Sequence, residues 1–215
     1  MSLALVLFAA APVDAQECSS RCPRRERDAA GCCPSAEERM AARCVPAHPD
    51  RCIASGLAFE QGDGVTADSA RAADLYRRAC ATRSAEGCRR LGGLTRSGVG
   101  LARDPVQALV LLRTACDVGD AEACYQHGEM HEQGEGTPHD ERSARQRYDR
   151  ACELGYAQGC MRVATMIGDS AAPSDLELGA TLLERACRAG IGEACRSLAE
   201  RYVAGRDVAA DVSQA

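Results

Sequence analysis

Five pairs of cysteines recur along the chain at an almost constant interval. The two members of each pair lie eight positions apart, and successive pairs follow every 36 residues, with one step of 35. The pairs are Cys44 with Cys52, Cys80 with Cys88, Cys116 with Cys124, Cys152 with Cys160, and Cys187 with Cys195. A fixed period of this length is typical of repeat proteins, in which each unit packs on its neighbours. We therefore expect about five similar units in an open-ended array, although a length of 215 residues alone would suit one or two compact domains.

Other residue types keep the phase of the cysteines and predict two helices per unit. An aspartate stands before an amphipathic stretch in four repeats, where a helix N-cap belongs. These aspartates are Asp68, Asp104, Asp140 and Asp175. The stretch, which we name helix B, ends near the first cysteine of a pair, and a glycine three residues later predicts its C-terminal stop. These glycines are Gly119, Gly155 and Gly190.

A second helix, which we name helix A of the next repeat, carries the second cysteine in its first turn and runs to a glycine-rich turn. The glycines of these turns are Gly62, Gly98, Gly134 and Gly205. Four residues after the second cysteine stands a small residue, which suits two helices that cross at close range. These small residues are Gly56, Gly92, Gly128, Ala164 and Ala199. The sequence thus predicts an all-α protein, an α/α solenoid of antiparallel helix pairs.

The paired cysteines are predicted to form local disulfides. One lies in the last turn of helix B and the other in the first turn of helix A, so a short connection can bring their Cα atoms within disulfide range. Each bridge would stabilise the fold by about 2.5 kcal/mol. Aromatic residues make up only 3% of the chain, so such bridges would compensate for a small stock of large core side chains. Five metal sites are the poorer alternative, because each pair offers two thiolates and no histidine recurs in phase.

Both ends of the chain carry further expectations. Residues 1–15 read as a signal peptide, with an apolar stretch too short to cross a bilayer. Residues 16–34 form a cysteine-rich segment in which two more disulfides are favoured over a zinc site. Its cysteines are Cys18, Cys22, Cys32 and Cys33. Residues 35–215 are assigned to the solenoid, whose last repeat stops where another helix B should begin, so the sequence is predicted to be truncated at its C-terminus.

The repeat carries a family resemblance. The unit that begins Ala85-Glu86-Gly87-Cys88 and ends Ala115-Cys116 resembles the Sel-one-like repeat, a relative of the tetratricopeptide repeat. Its cysteine pairs are similar to those of the Helicobacter cysteine-rich protein subgroup. The resemblance implies a right-handed superhelix of α/α hairpins, each with a disulfide, that presents a surface to protein or peptide partners. It also implies two alternatives, a weak β-lactamase or penicillin-binding hydrolase, and an organellar assembly factor.

Two histidines are the best candidates for a ligand site. His127 and His131 lie four residues apart, on one face of a predicted helix, and could bind a divalent metal or haem. The repeat phase favours a packing role instead, because His127 replaces Leu91 and Leu198 of other repeats. The polar residues Arg90, Gln126 and Arg162 of the A helices could line a partner groove by analogy with tetratricopeptide proteins.

Composition excludes several classes of function. All 26 basic residues are arginine, so chemistry that needs a lysine amine is ruled out. The net charge of -5 argues against a nucleic-acid partner. We find no catalytic motif and nominate no catalytic residue, cofactor or membrane span. The sequence favours a secreted or periplasmic scaffold that binds a protein, a peptide or a cell-wall fragment, with the hydrolase and the haem- or metal-binding factor as alternatives.

Overall fold

The computed structural model describes residues 35–168 and 172–204, and these ranges contain ten helices and no sheet. The helices are α1 (Ala36–Ala42), α2 (Pro49–Gln61), α3 (Ser69–Ala81), α4 (Ala85–Ser97), α5 (Pro105–Val118), α6 (Ala121–Gln133), α7 (Glu141–Glu153), α8 (Ala157–Ile167), α9 (Pro173–Arg188) and α10 (Gly192–Ala204). The predictions for the signal peptide, for Cys18, Cys22, Cys32 and Cys33, for Gly205 and for the C-terminal end fall outside these residues.

Each helix packs mainly on the helices that precede and follow it in the chain. Helices α2, α4, α6, α8 and α10 are the predicted A helices, and α3, α5, α7 and α9 are the predicted B helices. This nearest-neighbour packing makes the chain an all-α solenoid, as predicted. Within the described ranges, none of the helices combines the length and the apolar character that a bilayer crossing requires.

Helix starts follow the aspartate column in three of four repeats. The side chains of Asp68, Asp104 and Asp140 accept hydrogen bonds from backbone N–H groups in the first turns of α3, α5 and α7. The prediction for Asp175 is wrong, because it lies inside the first turn of α9, whose N-cap is Ala172. Pro173 explains the earlier start, since a proline has a preset φ and no N–H, which suits the first position of a helix.

Helix ends follow the glycine columns. Gly62, Gly98 and Gly134 end α2, α4 and α6 in the left-handed conformation, with φ of 76°, 77° and 69°. In the other column, Gly119, Gly155 and Gly190 follow the B helices α5, α7 and α9 with φ of 107°, 94° and 91°. After α3 the position that corresponds to these three glycines holds Arg83, which adopts φ of 62° at a cost that a glycine would avoid. These reversals turn the chain through the short connections that make helix pairs antiparallel.

All five cysteine pairs are joined as disulfides in the structure. Cys44 bonds to Cys52, Cys80 to Cys88, Cys116 to Cys124, Cys152 to Cys160, and Cys187 to Cys195. The first member of each pair lies at the end of a B helix, or just after α1 in the first pair. The second member lies in the first turn of the next A helix, and the Cα–Cα distances are 4.2 to 4.6 Å. Each short helix connection is therefore closed by a covalent bridge.

Most of these bridges are part of the core. Seven of the ten cysteines are buried, and they lie within the hydrophobic clusters between helices. Cys52 and Cys160 are among them, at 1% and 0% exposure, whereas Cys195 in α10 is only partly buried. The bridges thus fill space in the core as well as linking the helices covalently. They thereby replace part of the volume that aromatic side chains would otherwise supply.

Small residues let the two helices of a pair approach closely. A Cβ atom built on Gly56 would lie 2.5 Å from the Tyr76 ring, and one on Gly128 would lie 2.8 Å from the Tyr148 ring. Both tyrosines are fully buried. The predicted close crossings of α2 with α3 and of α6 with α7 are thus confirmed. At each crossing, the glycine of the A helix makes room for an aromatic ring of the B helix.

Candidate interaction surface

Successive A helices are connected by ion pairs along one face of the solenoid. Glu60 of α2 faces Arg90 of α4 at 3.9 Å, and Arg162 of α8 pairs with Glu132 of α6. Between these two pairs, Arg96 of α4 lies 3.4 Å from Glu129 of α6. We name this face the A-face and define it by Glu60, Arg89, Arg90, Arg96, Tyr125, Glu129, Glu132 and Arg162.

The A-face follows from the helical period. In α4, Cys88, Leu91 and Leu94 are buried in the interior, while Arg89 and Arg96 are half-exposed. Residues three or four positions apart lie on the same side of a helix. The buried residues therefore form one stripe along α4, and the arginines form a second stripe on another side. Each A helix therefore contributes apolar side chains to the core and polar side chains to the A-face.

A tyrosine from the B helix completes each of two A-face ion pairs. The Tyr76 hydroxyl donates a hydrogen bond to Glu60 at 2.5 Å, and the Tyr148 hydroxyl donates one to Glu132 at 2.7 Å. The Arg90 guanidinium lies over the Tyr76 ring, 5.8 Å from its centroid, and Arg162 lies 5.6 Å from the centroid of Tyr148. Two Tyr–Glu–Arg clusters therefore combine a hydrogen bond, an ion pair and a cation–π contact.

The shifted pKa values in these clusters keep the tyrosines protonated and Glu132 ionised at neutral pH. Burial, reinforced by Glu60 or Glu132, raises the pKa of Tyr76 and Tyr148 far above the ordinary value, so both hydroxyls remain donors. Burial tends to raise the pKa of Glu132, but hydrogen bonds from Tyr148 and Arg162 outweigh it and lower that pKa. The Glu132 carboxylate therefore stays ionised at neutral pH.

The two clusters are separated by 72 residues, twice the repeat length. Glu60 and Glu132, Tyr76 and Tyr148, and Arg90 and Arg162 are each separated by this interval. The intervening repeat has Arg96, Leu112 and Gln126 at the three positions. From the sequence we placed Arg90, Gln126 and Arg162 on a groove but missed the glutamates and tyrosines. A comparison of alternate repeats would have revealed them, because the triplet recurs unchanged.

Three of the five tyrosines form a cluster around Tyr125 of the A-face. The Tyr125 ring lies 5.2 Å from the ring of Tyr148 and 5.2 Å from that of Tyr156, with interplanar angles of 44° and 51°. Tyr148 is buried, whereas Tyr125 and Tyr156 are half-buried and leave part of their rings accessible. Burial raises the pKa of both accessible tyrosines, and nearby carboxylates, Glu129 at Tyr125 and Glu122 at Tyr156, raise it further.

The two candidate ligand histidines lie side by side in α6. His127 is 2% exposed, its ring centroid is 4.9 Å from that of His131, and neither Nδ1 atom has a hydrogen-bond partner within the described residues. Burial, and then the charge of Arg147, lower the pKa of His127 to about 3. The same positive charge opposes a metal cation. In the part of the chain that the structure describes, no three His, Cys, Asp or Glu side chains form a group that could hold a metal ion.

Comparison with known families and structures agrees with this architecture. The family model described as the Sel1 repeat matches residues 52–81, 85–120, 121–156 and 157–191. These four stretches together make up well over half of the chain. A search of curated protein sequences finds no match.

Two solved structures, with TM-scores of 0.73, show the same fold at low sequence identity. A protective antigen of uropathogenic Escherichia coli strains, which has an SLR fold, aligns with a TM-score of 0.73 and 23% identity over 78% of this chain and 36% of its own. A Sel1 repeat protein from Oxalobacter formigenes aligns with a TM-score of 0.73 and 23% identity over 83% of this chain and 75% of its own. Helicobacter pylori cysteine-rich protein B aligns with a TM-score of 0.48 and 21% identity over 59% and 96%. The chain spans about a third of the length of the E. coli antigen.

Proposed function

Because the chain belongs to the Sel1 repeat family, we propose that it is an exported scaffold whose A-face binds a segment of a protein or peptide partner. Proteins built from such repeats are generally protein-interaction scaffolds. The observation that carries the proposal is the concentration of arginines, carboxylates and accessible tyrosine rings on one face, opposite an interior built for packing. Aromatic and arginine side chains are the types most enriched at binding hot spots.

The five disulfides support the exported location. Disulfides persist in oxidising compartments and are rare in the cytosol of most organisms. The bridges also make the face rigid and preformed, so little ordering entropy is lost when a partner binds. The hydrolase and the haem- or metal-binding factor stay predictions, and no contact among residues 35–168 and 172–204 favours either of them.

A steric block tests the role of the A-face. Gly93 lies between Arg89 and Arg96 on α4, and a Cβ atom there would contact nothing within 4 Å. We expect Gly93→Phe to fold normally and to cover the A-face. Peptides selected from a random dodecapeptide library on the wild-type protein should bind Gly93→Phe at least about tenfold more weakly, as expected when a hot spot is lost.

The matched control is Gly192→Phe, at another helical glycine whose Cβ direction is open, in the first turn of α10. This variant should bind the selected peptides as the wild type does. Peptide binding that is equally strong in the Gly93→Phe and Gly192→Phe proteins would contradict the proposal, because the partner surface would then lie elsewhere.

A further inference from the structure

We propose that the groove between the B helices α5 and α7 binds an oxyanion, that is, a carboxylate or a phosphate group. The groove lies over α6, on the opposite side of that helix from the A-face. His127 follows Tyr125 of the A-face by two positions, and two positions along a helix are about 200° apart. The site is therefore additional to the proposed partner surface and does not depend on it.

The groove belongs to a series that the repeats form between successive B helices. Between α3 and α5 it has a volume of about 270 Å³ and a lining that includes Leu91, Leu101 and Leu111. In a solenoid, residues one repeat later occupy equivalent places. The residues 36 positions after these leucines, between α5 and α7, are His127, Thr137 and Arg147.

Three apolar side chains are thus replaced together by polar ones in a single groove. The next groove, between α7 and α9, is apolar again, with Val163 and Ile167 in a hydrophobic cluster against which Leu182 packs. These three residues hold the repeat positions of His127, His131 and Arg147. Because apolar side chains serve packing on both sides, the joint change to polar residues indicates a polar ligand.

The two histidines of this groove are hydrogen-bond donors. Their Nδ1 atoms are enclosed and have no partner in the described residues. A proton on an enclosed Nδ1 would be a buried donor without an acceptor, so the neutral ring carries its proton on Nε2. A protonated nitrogen does not ligate a metal, but it donates to an anion. The ring centroids of His127 and His131 are 4.9 Å apart, so one ligand can meet both rings.

Two arginines add positive charge from the flanking helices. Burial lowers the pKa of His127, and the charges of Arg147, His131 and Arg113 lower it further, so both arginines act on this histidine. Arg113 is exposed and forms no ion pair within residues 35–168 and 172–204. Arg147 approaches Asp117 only to 3.9 Å, and that carboxylate is 62% exposed. Both guanidinium groups can therefore turn to an anion.

The second nearby carboxylate already has partners. Burial and the charge of Arg147 lower the pKa of His131, whereas Asp140 raises it. The Asp140 side chain accepts hydrogen bonds from the backbone N–H and the hydroxyl of Ser143, and so caps α7. An oxyanion would meet two guanidinium groups and two imidazole donors. Arginine suits such a ligand, because its planar fork donates to two oxygens of a carboxylate or phosphate.

Isothermal titration calorimetry of the full chain at pH 7 tests the site. The probes are inorganic phosphate and, separately, succinate, with the ionic strength held constant by chloride. We expect saturable binding of at least one probe, and the tighter one shows whether the groove prefers a phosphate or a carboxylate. Arg147→Leu should weaken this binding about tenfold or more, because charge-assisted hydrogen bonds are lost. Leucine stands at this repeat position in Leu111 and Leu182, so the fold should tolerate it.

Arg150→Leu is the matched control, because it removes the same charge from the same helix. Arg150 is half exposed and pairs with Glu153 at 3.0 Å, one residue type that the groove does not use. This variant should bind the anion as the wild type does. Gly93→Phe, which covers the A-face, should also leave anion binding unchanged.

Nitrogen NMR of the imidazole rings gives a second readout. The better probe should shift the Nε2 signals of His127 and His131 in the wild type, and the shifts should be lost in Arg147→Leu. Circular dichroism melting curves of each variant confirm that lost binding is not lost folding.

Two results would overturn the oxyanion site: no saturable binding of either probe, or equal affinity in the Arg147→Leu and Arg150→Leu proteins. Neither result affects the proposal for the A-face, which lies on the other side of α6.

Discussion

Most buried polar side chains in the described residues have hydrogen-bond partners, and the exceptions are the Nδ1 atoms of His127 and His131 and the Nε atom of Arg162. The hydroxyl of Thr95 donates to the Leu91 carbonyl at 2.7 Å, and that of Ser55 donates to the Met40 carbonyl at 2.9 Å. The Nδ1 atom of His127 has no such partner in the described ranges. A neutral imidazole accepts this burial at moderate cost, but a charged one would not.

The burial of His127 makes stability depend on pH. Its pKa is about 3 in the folded protein, held down by burial and by the charges of Arg147, His131 and Arg113, against about 6.5 in the unfolded chain. Below pH 6.5 the unfolded chain takes up a proton that the folded protein does not, so stability falls as pH falls. Burial and Arg147 also lower the pKa of His131, which adds an effect of the same sign.

We predict that the free energy of unfolding drops by about 2 kcal/mol from pH 6.5 to pH 5 on account of His127. His127→Leu should remove this loss, since leucine occupies the same position at Leu91 and Leu198. Urea unfolding of both proteins across this range measures the difference. If the free energies of unfolding of the two proteins changed with pH in the same way, the pKa of His127 would not be lowered by folding.

At the scale of elements, the glycine column sets how closely helix pairs pack. Gly128 faces the buried Tyr148 ring, and a Cβ atom would also lie 3.2 Å from the Ala144 carbonyl. The ring cannot retreat easily, because its hydroxyl is bonded to Glu132. The next repeat back uses Gly92 against Leu112, at 3.0 Å. Alternation between a tyrosine and a leucine at this crossing gives the solenoid its two-repeat period.

Two alanine variants isolate the steric requirement. Gly93→Ala enters open space and should raise the free energy of unfolding by up to about 1 kcal/mol through helix propensity. Gly128→Ala gains the same propensity but collides with Tyr148, which costs about 1–3 kcal/mol. The difference between the two variants in chemical denaturation therefore equals the steric cost. Equal stabilities would mean that α6 and α7 separate without penalty.

At the scale of the whole molecule, stability is the sum of local terms between neighbouring units. The hydrophobic clusters follow the repeats, and each disulfide links one repeat to the next. A bridge of this loop length constrains the unfolded chain by about 2.5 kcal/mol. Because the bridges act at every joint, they stabilise the array as a continuous body despite its small core residues.

Removal of the central bridge tests this account. The double variant Cys116→Ala with Cys124→Ala should lose about 2–3 kcal/mol of unfolding free energy, measured in urea without reductant. Thiol titration of the denatured, unreduced wild-type protein should detect none of the ten repeat cysteines, from Cys44 to Cys195. Reaction of several of these thiols would contradict the disulfide assignment and the exported location inferred from it.

The repeat architecture can be predicted from the sequence alone, because it depends on residues close together in the chain. The period of the cysteines, the N-cap aspartates and the stop glycines are each read from neighbours in the chain, and helix pairs follow from them. Asp175 is the exception: the proline at 173 overrides the column and starts α9 earlier. Several neighbouring residues influence where a helix begins, so a single repeat position does not always predict the N-cap.

The composition of the A-face depends on how the helices pack and could not be predicted from the sequence. Glu132, Tyr148 and Arg162 come from three helices, and their side chains meet across 30 residues of chain. Tyr125 and Tyr156 likewise meet across one whole helix pair. Periodicity assigns a residue to a side of its own helix, but the partner across the gap depends on the spacing and tilt between helices. That spacing is set by packing of small residues against rings, which exists only once the helices have docked.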